Sequence, residues 1–450
     1  MLNRVIGIDF GKKCGKIKPL NGINGGPRSG GCDLPFDMSE EFSAMNIPVV
    51  RTGMKSGEYG YNQFIDVHCI FPDFSADENL EESYNFLPTD LYLASVRATG
   101  AEIFYRLGES AEPYARKLFV RPPADMEKWA RICEHIVMHY NEGWANGFKY
   151  NIKYWEIWSA PDSPAGWCGE RREFFELYRI TANHLRERFP KIRIGGYGAR
   201  GFYSLNRLDA SEEMKGYVSF MQQFFAYVAS PLTSAPLDFF TWSVSTSNPE
   251  ELAMHAKYAR TYLDGAGLKR TKSIVCEFNT AKKGTTPSAL RPEMPAELGA
   301  SLILAQKSGI DMLMYSDSDV TSRYNGLFSV DDYQTHHRYA AYGVMCAFGR
   351  LLRLGTVPEL RGEYRKELYA LAAFNDREAG VLIVTGEYSG KLEIVLESST
   401  FDTCSVVKTV PGGDRGVGSE YRAENIAVNG SKILLPVKKN EFYYLTLFNK

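Results

Sequence analysis

Glu277 closes an apolar run, Ser273-Ile274-Val275-Cys276, and is followed by Phe278 and Asn279. A carboxylate at the end of a buried strand is well placed to attack a bound molecule or to exchange a proton with it. The stretch Tyr154-Trp155-Glu156-Ile157-Trp158-Ser159-Ala160-Pro161-Asp162 has a related form, in which aromatic and aliphatic residues stop abruptly at small ones and a proline. Arg51 and Glu156 are charges set inside such apolar runs. Strand alternation puts Glu156, Trp158 and Ala160 on one inward face, and a charge there needs a partner. Arg51 is the candidate, for Glu156 or for Glu277. Asp162, Asp317 and Asp319 fall on loops beyond strand ends, where acids are commonly solvated.

Bringing these strand ends together is the task of the surrounding elements. Eight short apolar runs lie at 17–24, 47–52, 101–107, 154–160, 192–197, 237–245, 273–279 and 312–317. Helical patterns lie between them, as at 126–140, 170–189, 212–228, 249–263 and 295–308. This alternation predicts an α/β fold, a (β/α)8 TIM barrel over 17–354. A doubly wound open sheet is disfavoured, because no glycine-rich phosphate loop follows an early strand. After Leu354 helical periodicity gives way to short strands at 368–374, 380–386, 391–396, 405–410, 431–436 and 442–448. They predict an appended C-terminal antiparallel β-sandwich over 355–450. The N-terminal segment 1–16 contains a strand-like run at 4–10 that is available to the sandwich.

Bulk properties narrow the function classes. Of 450 residues, 44% are hydrophobic and 24% charged, which suits a globular protein with a large core. A net charge of −2 offers no attraction for nucleic acid or an anionic membrane. No run is long and apolar enough to span a bilayer, and the N-terminus is too short and polar for a signal peptide. The eight cysteines are scattered without a CxxC pair, which favours a reducing, cytoplasmic setting. His135 and His139 are four apart, but no glutamate follows the first as in HExxH. No metal and no cofactor are expected, and nothing in the sequence speaks to an oligomeric state.

Several stretches, in order and spacing, resemble family 39 of the glycoside hydrolases, in the retaining Glu/Glu barrel clan. They are 65–74, Tyr105-Arg106-Leu107-Gly108, His139-Tyr140-Asn141-Glu142-Gly143-Trp144, the 155–161 stretch, Ile194-Gly195-Gly196, Cys276-Glu277-Phe278-Asn279 and Tyr324-Asn325-Gly326-Leu327-Phe328. The resemblance implies a glycosidase acting on an oligosaccharide or glycoside, with two carboxyl groups at the ends of strands four and seven. It makes Glu277 the nucleophile. It also makes Ala160 the occupant of the acid/base position, because the family pattern reads Trp-Glu-Ile-Trp-Asn-Glu-Pro where this chain has Ser159 and Ala160. Substrate contacts are expected from Arg51, Ser159, Ser243, Tyr315 and Asp317, with Trp167 and Trp242 as sugar platforms or core rings.

Other positions depart from the family in the same direction. Arg51 is followed by Thr52 and Gly53 in place of a His-Asp type pair, and Ser243 and Ser245 stand where strand six carries a His and often a Tyr. Phe278 replaces the Trp after strand seven, and strand eight ends Tyr315-Ser316-Asp317. Two readings stay open: a retaining glycosidase with a non-standard or missing general acid, or an inactive protein that binds a carbohydrate or protein partner through the barrel cleft.

Overall fold

The computed structural model describes residues 4–31, 34–53, 64–112, 115–280, 291–316, 318, 326–330, 336–362, 364–411 and 419–449. Asp317, Asp319, Tyr324 and Asn325 lie outside the described residues. Eight parallel strands close a barrel: Gly22–Asn24, Val49–Arg51, Glu102–Leu107, Tyr154–Ile157, Arg193–Ala199, Phe239–Ser245, Lys272–Asn279 and Met312–Tyr315. Each is followed by a helix, and the local sequence explains why the helices start where they do. Asp125 caps Met126–Asn141 by accepting from Lys128 N at 2.9 Å. Glu170 and Glu173 form a capping box at Arg171–Arg188. Ser211 and Asn248 cap Glu212–Ala229 and Pro249–Gly265 in the same way.

Period-two alternation sorts the strand residues into two layers. Val49, Phe104, Phe239, Ile274, Cys276, Met312 and Met314 fill the barrel interior. Tyr105, Trp155, Val275 and Leu313 face outward and share one core cluster with Trp129, Ile136 and Tyr140 of the helical ring. On Met126–Asn141 the buried residues include Trp129, Ile132, Cys133, Ile136, Val137 and Tyr140, the spacing of a one-sided helix.

Strand four is shorter than its apolar run. It stops at Ile157, because Trp158 adopts φ 71° and Ala160 φ 53°, both left-handed. The expected shared inward face of Glu156, Trp158 and Ala160 is therefore broken. Glu156 stays inside, whereas Trp158 packs outward against Trp129 and Trp167, with ring centroids 5.7 and 5.0 Å away.

The remaining chain forms one nine-stranded sheet. Its order is Ser419–Ala427, Thr403–Pro411, Phe442–Phe448, Glu378–Thr385, Leu368–Phe374, Thr356–Arg361, Arg4–Lys16, Gly390–Glu397 and Lys432–Val437. Pairing is antiparallel except between Arg4–Lys16 and Gly390–Glu397, which run parallel with Ile6 opposite Ile394. Ile6, Ile8, Val381, Leu392, Ile394, Ile433 and Leu445 share one apolar cluster on one side of this sheet. Leu382, Val384, Phe442 and Tyr444, of opposite parity, join the barrel's own core beside helices Met294–Lys307 and Ala340–Leu354.

Candidate active site

Arg51 ends the second barrel strand with its side chain wholly buried, and it ties four strands together. Its Nε donates to Glu156 Oε2 at 2.6 Å, and its Nη2 donates to Ser159 Oγ at 3.2 Å. Its Nη1 donates to Asn24 Oδ1 at 3.2 Å and to Glu277 Oε1 at 3.3 Å. Burial opposes the guanidinium's charge, but Glu156 and Glu277 outweigh it and hold the proton far more tightly than usual. Arg51 thus serves both acids for which it is a candidate. Glu156 is as buried as Arg51, so it belongs to an internal ion pair below the mouth.

Glu277 lies higher, with 27% of its side chain exposed. Its aim follows from a register shift on strand seven: Val275 pairs with Trp242, but Glu277 pairs with Ser243. The bulge lets Cys276 fill the barrel interior while Glu277 also reaches inward to Arg51. Asn24 Nδ2 donates to Glu277 Oε1 at 3.3 Å and lies 3.4 Å from Ser316 Oγ. One carboxylate oxygen therefore receives two donors, an arrangement that fixes the group's orientation. Ser243 Oγ sits 3.7 Å from Cys276 Sγ beside it, and burial pushes that thiol well up, which keeps it protonated.

Ala160 is nearly buried on the strand-four loop, its N–H donating to Tyr197 O at 2.9 Å. Two left-handed residues within three positions mark strain at this strand end. The loop is closely packed, since a Cβ on Gly166 would stand 2.1 Å from Ala160 O.

Three expected substrate contacts lie elsewhere. Trp167 is 4% exposed, donates to Glu170 O at 3.1 Å and packs edge-on to Trp158 and Phe174. Trp242 is fully buried, donates to Ser273 Oγ at 3.0 Å and lies against Phe202. Tyr315 is also fully buried and belongs to the core between barrel and helices. Trp242 and Tyr315 sit on the outward parity of their strands, and Trp167 packs inward from the loop after strand four, so all three rings lie in the core.

Arg200 was not among the expected site residues. It follows strand five directly, is half-buried, and its charge is favoured by Glu277, Tyr217 and Asp162 against the cost of burial. Its backbone N–H donates to Asp162 Oδ2 at 2.8 Å. Burial raises the Asp162 carboxyl to about 7, against the pull of Arg200. The signal for Arg200 was the one that singled out Glu277: a charge immediately after an apolar strand run.

Comparison with known proteins agrees with this architecture. The model for Glycosyl hydrolases family 39 matches residues 50–247. A Beta-xylosidase from Geobacillus stearothermophilus is 22% identical over 242 residues, a match covering 51% of this chain and 47% of that protein. The matched segment thus spans about half the length of this curated relative. Among solved structures, a glucosidase from Croceicoccus marinus superposes over all of both chains with a TM-score of 0.76 and 20% identity. The GH39 enzyme from Xanthomonas axonopodis pv. citri superposes over 100% of this chain and 98% of its own, with a TM-score of 0.69 and 13% identity. At these identities the two structures establish the fold.

Proposed function

We propose that this glycoside hydrolase family 39-like protein is a glycosidase that works by a retaining mechanism, with Glu277 as the nucleophile. The observation that carries the reading is the placement of Glu277. It is a partly exposed carboxylate at the barrel mouth, with one oxygen held by Arg51 and Asn24. Attack on an anomeric carbon needs such an oriented anion. Arg51, Ser159 and Ser243 belong to the same site in this reading.

Position 160 supplies no proton, because alanine has none to give. Departure of an ordinary sugar alkoxide then loses a factor of about 10²–10⁴. Glycosides with strongly acidic leaving groups need little protonation and escape this loss. The test uses dinitrophenyl xylosides, glucosides and arabinofuranosides with intact-mass spectrometry. A glycosyl adduct is expected on the wild-type protein and not on Glu277→Gln. Because no carboxylate at position 160 activates water, the adduct should turn over slowly, and azide should release it as a glycosyl azide. If no sugar in the panel gives an adduct, the alternative holds: a cleft that binds a carbohydrate or protein partner without cleaving a bond.

A further inference from the structure

Beyond the end of strand three, a thiol, an imidazole and a carboxylate stand in line. The single helical turn Val67–Ile70 is seated on the strand end, with Val67 N donating to Gly108 O at 3.1 Å. It carries the half-buried His68 and Cys69. Cys69 Sγ lies 3.3 Å from His68 Nε2, and His68 Nδ1 lies 2.5 Å from Glu109 Oε2. The other oxygen of Glu109 accepts from His68 N at 3.2 Å, and the Glu109 side chain is only 6% exposed.

The imidazole is fixed on one face as well. Phe119 stacks on it with centroids 3.6 Å apart and planes 5° from parallel. The loop bearing Phe119 is held in turn by Glu112, whose carboxylate accepts from the N–H groups of Leu118, Phe119 and Val120. Both ring nitrogens and a ring face of His68 therefore have assigned neighbours.

Asp66, His68 and Glu109 also bring ligand atoms within 4.8 Å of one another. Asp66 is committed elsewhere, however. Its Oδ1 accepts from Arg106 Nη2 at 2.6 Å and Ser110 Oγ at 2.8 Å, and its Oδ2 accepts from Ser110 N at 2.9 Å. His68 and Glu109 are bonded to each other. The geometry is that of a proton chain ending at sulfur, not of an open cation site. Burial works against a charge on His68, but its bonds to Cys69 and Glu109 outweigh that and raise it to about 10.

We propose that Cys69 is a nucleophilic thiol that forms mixed disulfides with small disulfides, with His68 as its proton partner and Glu109 as the anchor of His68. With the thiol proton held on His68 Nε2, Cys69 Sγ attacks one sulfur of R–S–S–R. A new S–S bond forms, the old one breaks, and His68 returns the proton to the departing thiolate. The balance is one protein thiol and one disulfide giving one mixed disulfide and one free thiol. The inference stands apart from glycoside chemistry and does not depend on Glu277.

Oxidised glutathione is the probe, used on the full chain at neutral pH, with peptide mass mapping over time. The exposed Cys14 and Cys168 belong to the same molecule and serve as internal references. Cys69 is expected to react at least about tenfold faster than either reference, and dithiothreitol should reverse the adduct. His68→Gln should bring Cys69 down to the rate of the references, and Glu109→Gln should slow it several-fold. A wild-type Cys69 that reacts no faster than Cys14 and Cys168 overturns the proposal. So does a Cys69 rate left unchanged in a folded His68→Gln protein. Should that variant fail to fold, the wild-type ratio decides alone.

Discussion

On the proposed reading, Glu277 and Ala160 define the chemistry at the scale of single residues, one by what it carries and the other by what it lacks. A restored acid needs more than a carboxylate, because its pKa and orientation come from neighbours. Ser159 Oγ already accepts from Arg51 Nη2, and Ser243, in register with Glu277, stands where the resemblance implies a larger polar group. Position 160 also sits on a left-handed backbone inside a closely packed loop. Ala160→Glu is therefore expected to leave hydrolysis of unactivated xylosides, glucosides, galactosides and arabinosides within about tenfold of wild type. A fully competent site would instead gain the general-acid factor of about 10²–10⁴. Initial rates on these four substrates measure the difference, and a gain of several hundredfold on any of them would refute coordinated divergence of the site.

Among the elements, the loop after strand four is anchored by the pairing of Asp162 with the residue after strand five. Asp162 Oδ2 accepts from Arg200 N, while Oδ1 is buried without a hydrogen-bond partner among the described residues. Burial raises this carboxyl to about 7, above the ordinary range near 4. The sign follows from linkage. Between about pH 4 and 7 the folded protein binds a proton that the unfolded chain releases, so stability from this group is full below pH 4 and falls as pH rises towards 7. Asp162→Asn keeps an acceptor for Arg200 N and removes the charge. The variant should gain on wild type by about 1–3 kcal/mol between pH 5 and pH 8. Urea unfolding at the two pH values checks this, and an equal difference at both would show that Asp162 ionises freely in the folded state.

Taken as a whole molecule, the protein couples its sheet to its barrel through a shared core. Leu382, Val384, Phe442 and Tyr444 pack into the same cluster as Leu298, Leu302, Val344 and Phe348 of the last two barrel helices. The fit is tight: a Cβ on Gly299 would come within 2.7 Å of Val384 Cγ2. All six tryptophans, at 129, 144, 155, 158, 167 and 242, lie in the barrel part of the chain. Leu382→Ala, a change in the sheet, should cost about 2–5 kcal/mol. If the two parts unfold together, tryptophan emission and far-UV circular dichroism should shift by the same amount. Tryptophan emission that keeps its wild-type midpoint would show that the barrel stands without the sheet.

The sequence by itself determined the barrel, because eight apolar runs alternating with capped helical patterns leave few ways to bury both faces. It also pointed to Arg51, Glu156 and Glu277, since a charge within or just after a buried run is conspicuous. What it left open was direction. Trp167, Trp242 and Tyr315 have the composition of a sugar cleft, but strand parity at Trp242 and Tyr315 and loop packing at Trp167 turn their rings into the core. Only the bulge on strand seven decides that Glu277 faces Arg51, and only the left-handed turn at Trp158 decides that strand four ends early. Arg200 and the Cys69-His68-Glu109 chain became visible through contacts between segments distant in sequence, such as the 41 residues that separate His68 from Glu109. Periodicity reports which residues are buried; tertiary packing selects the neighbour each one is buried against.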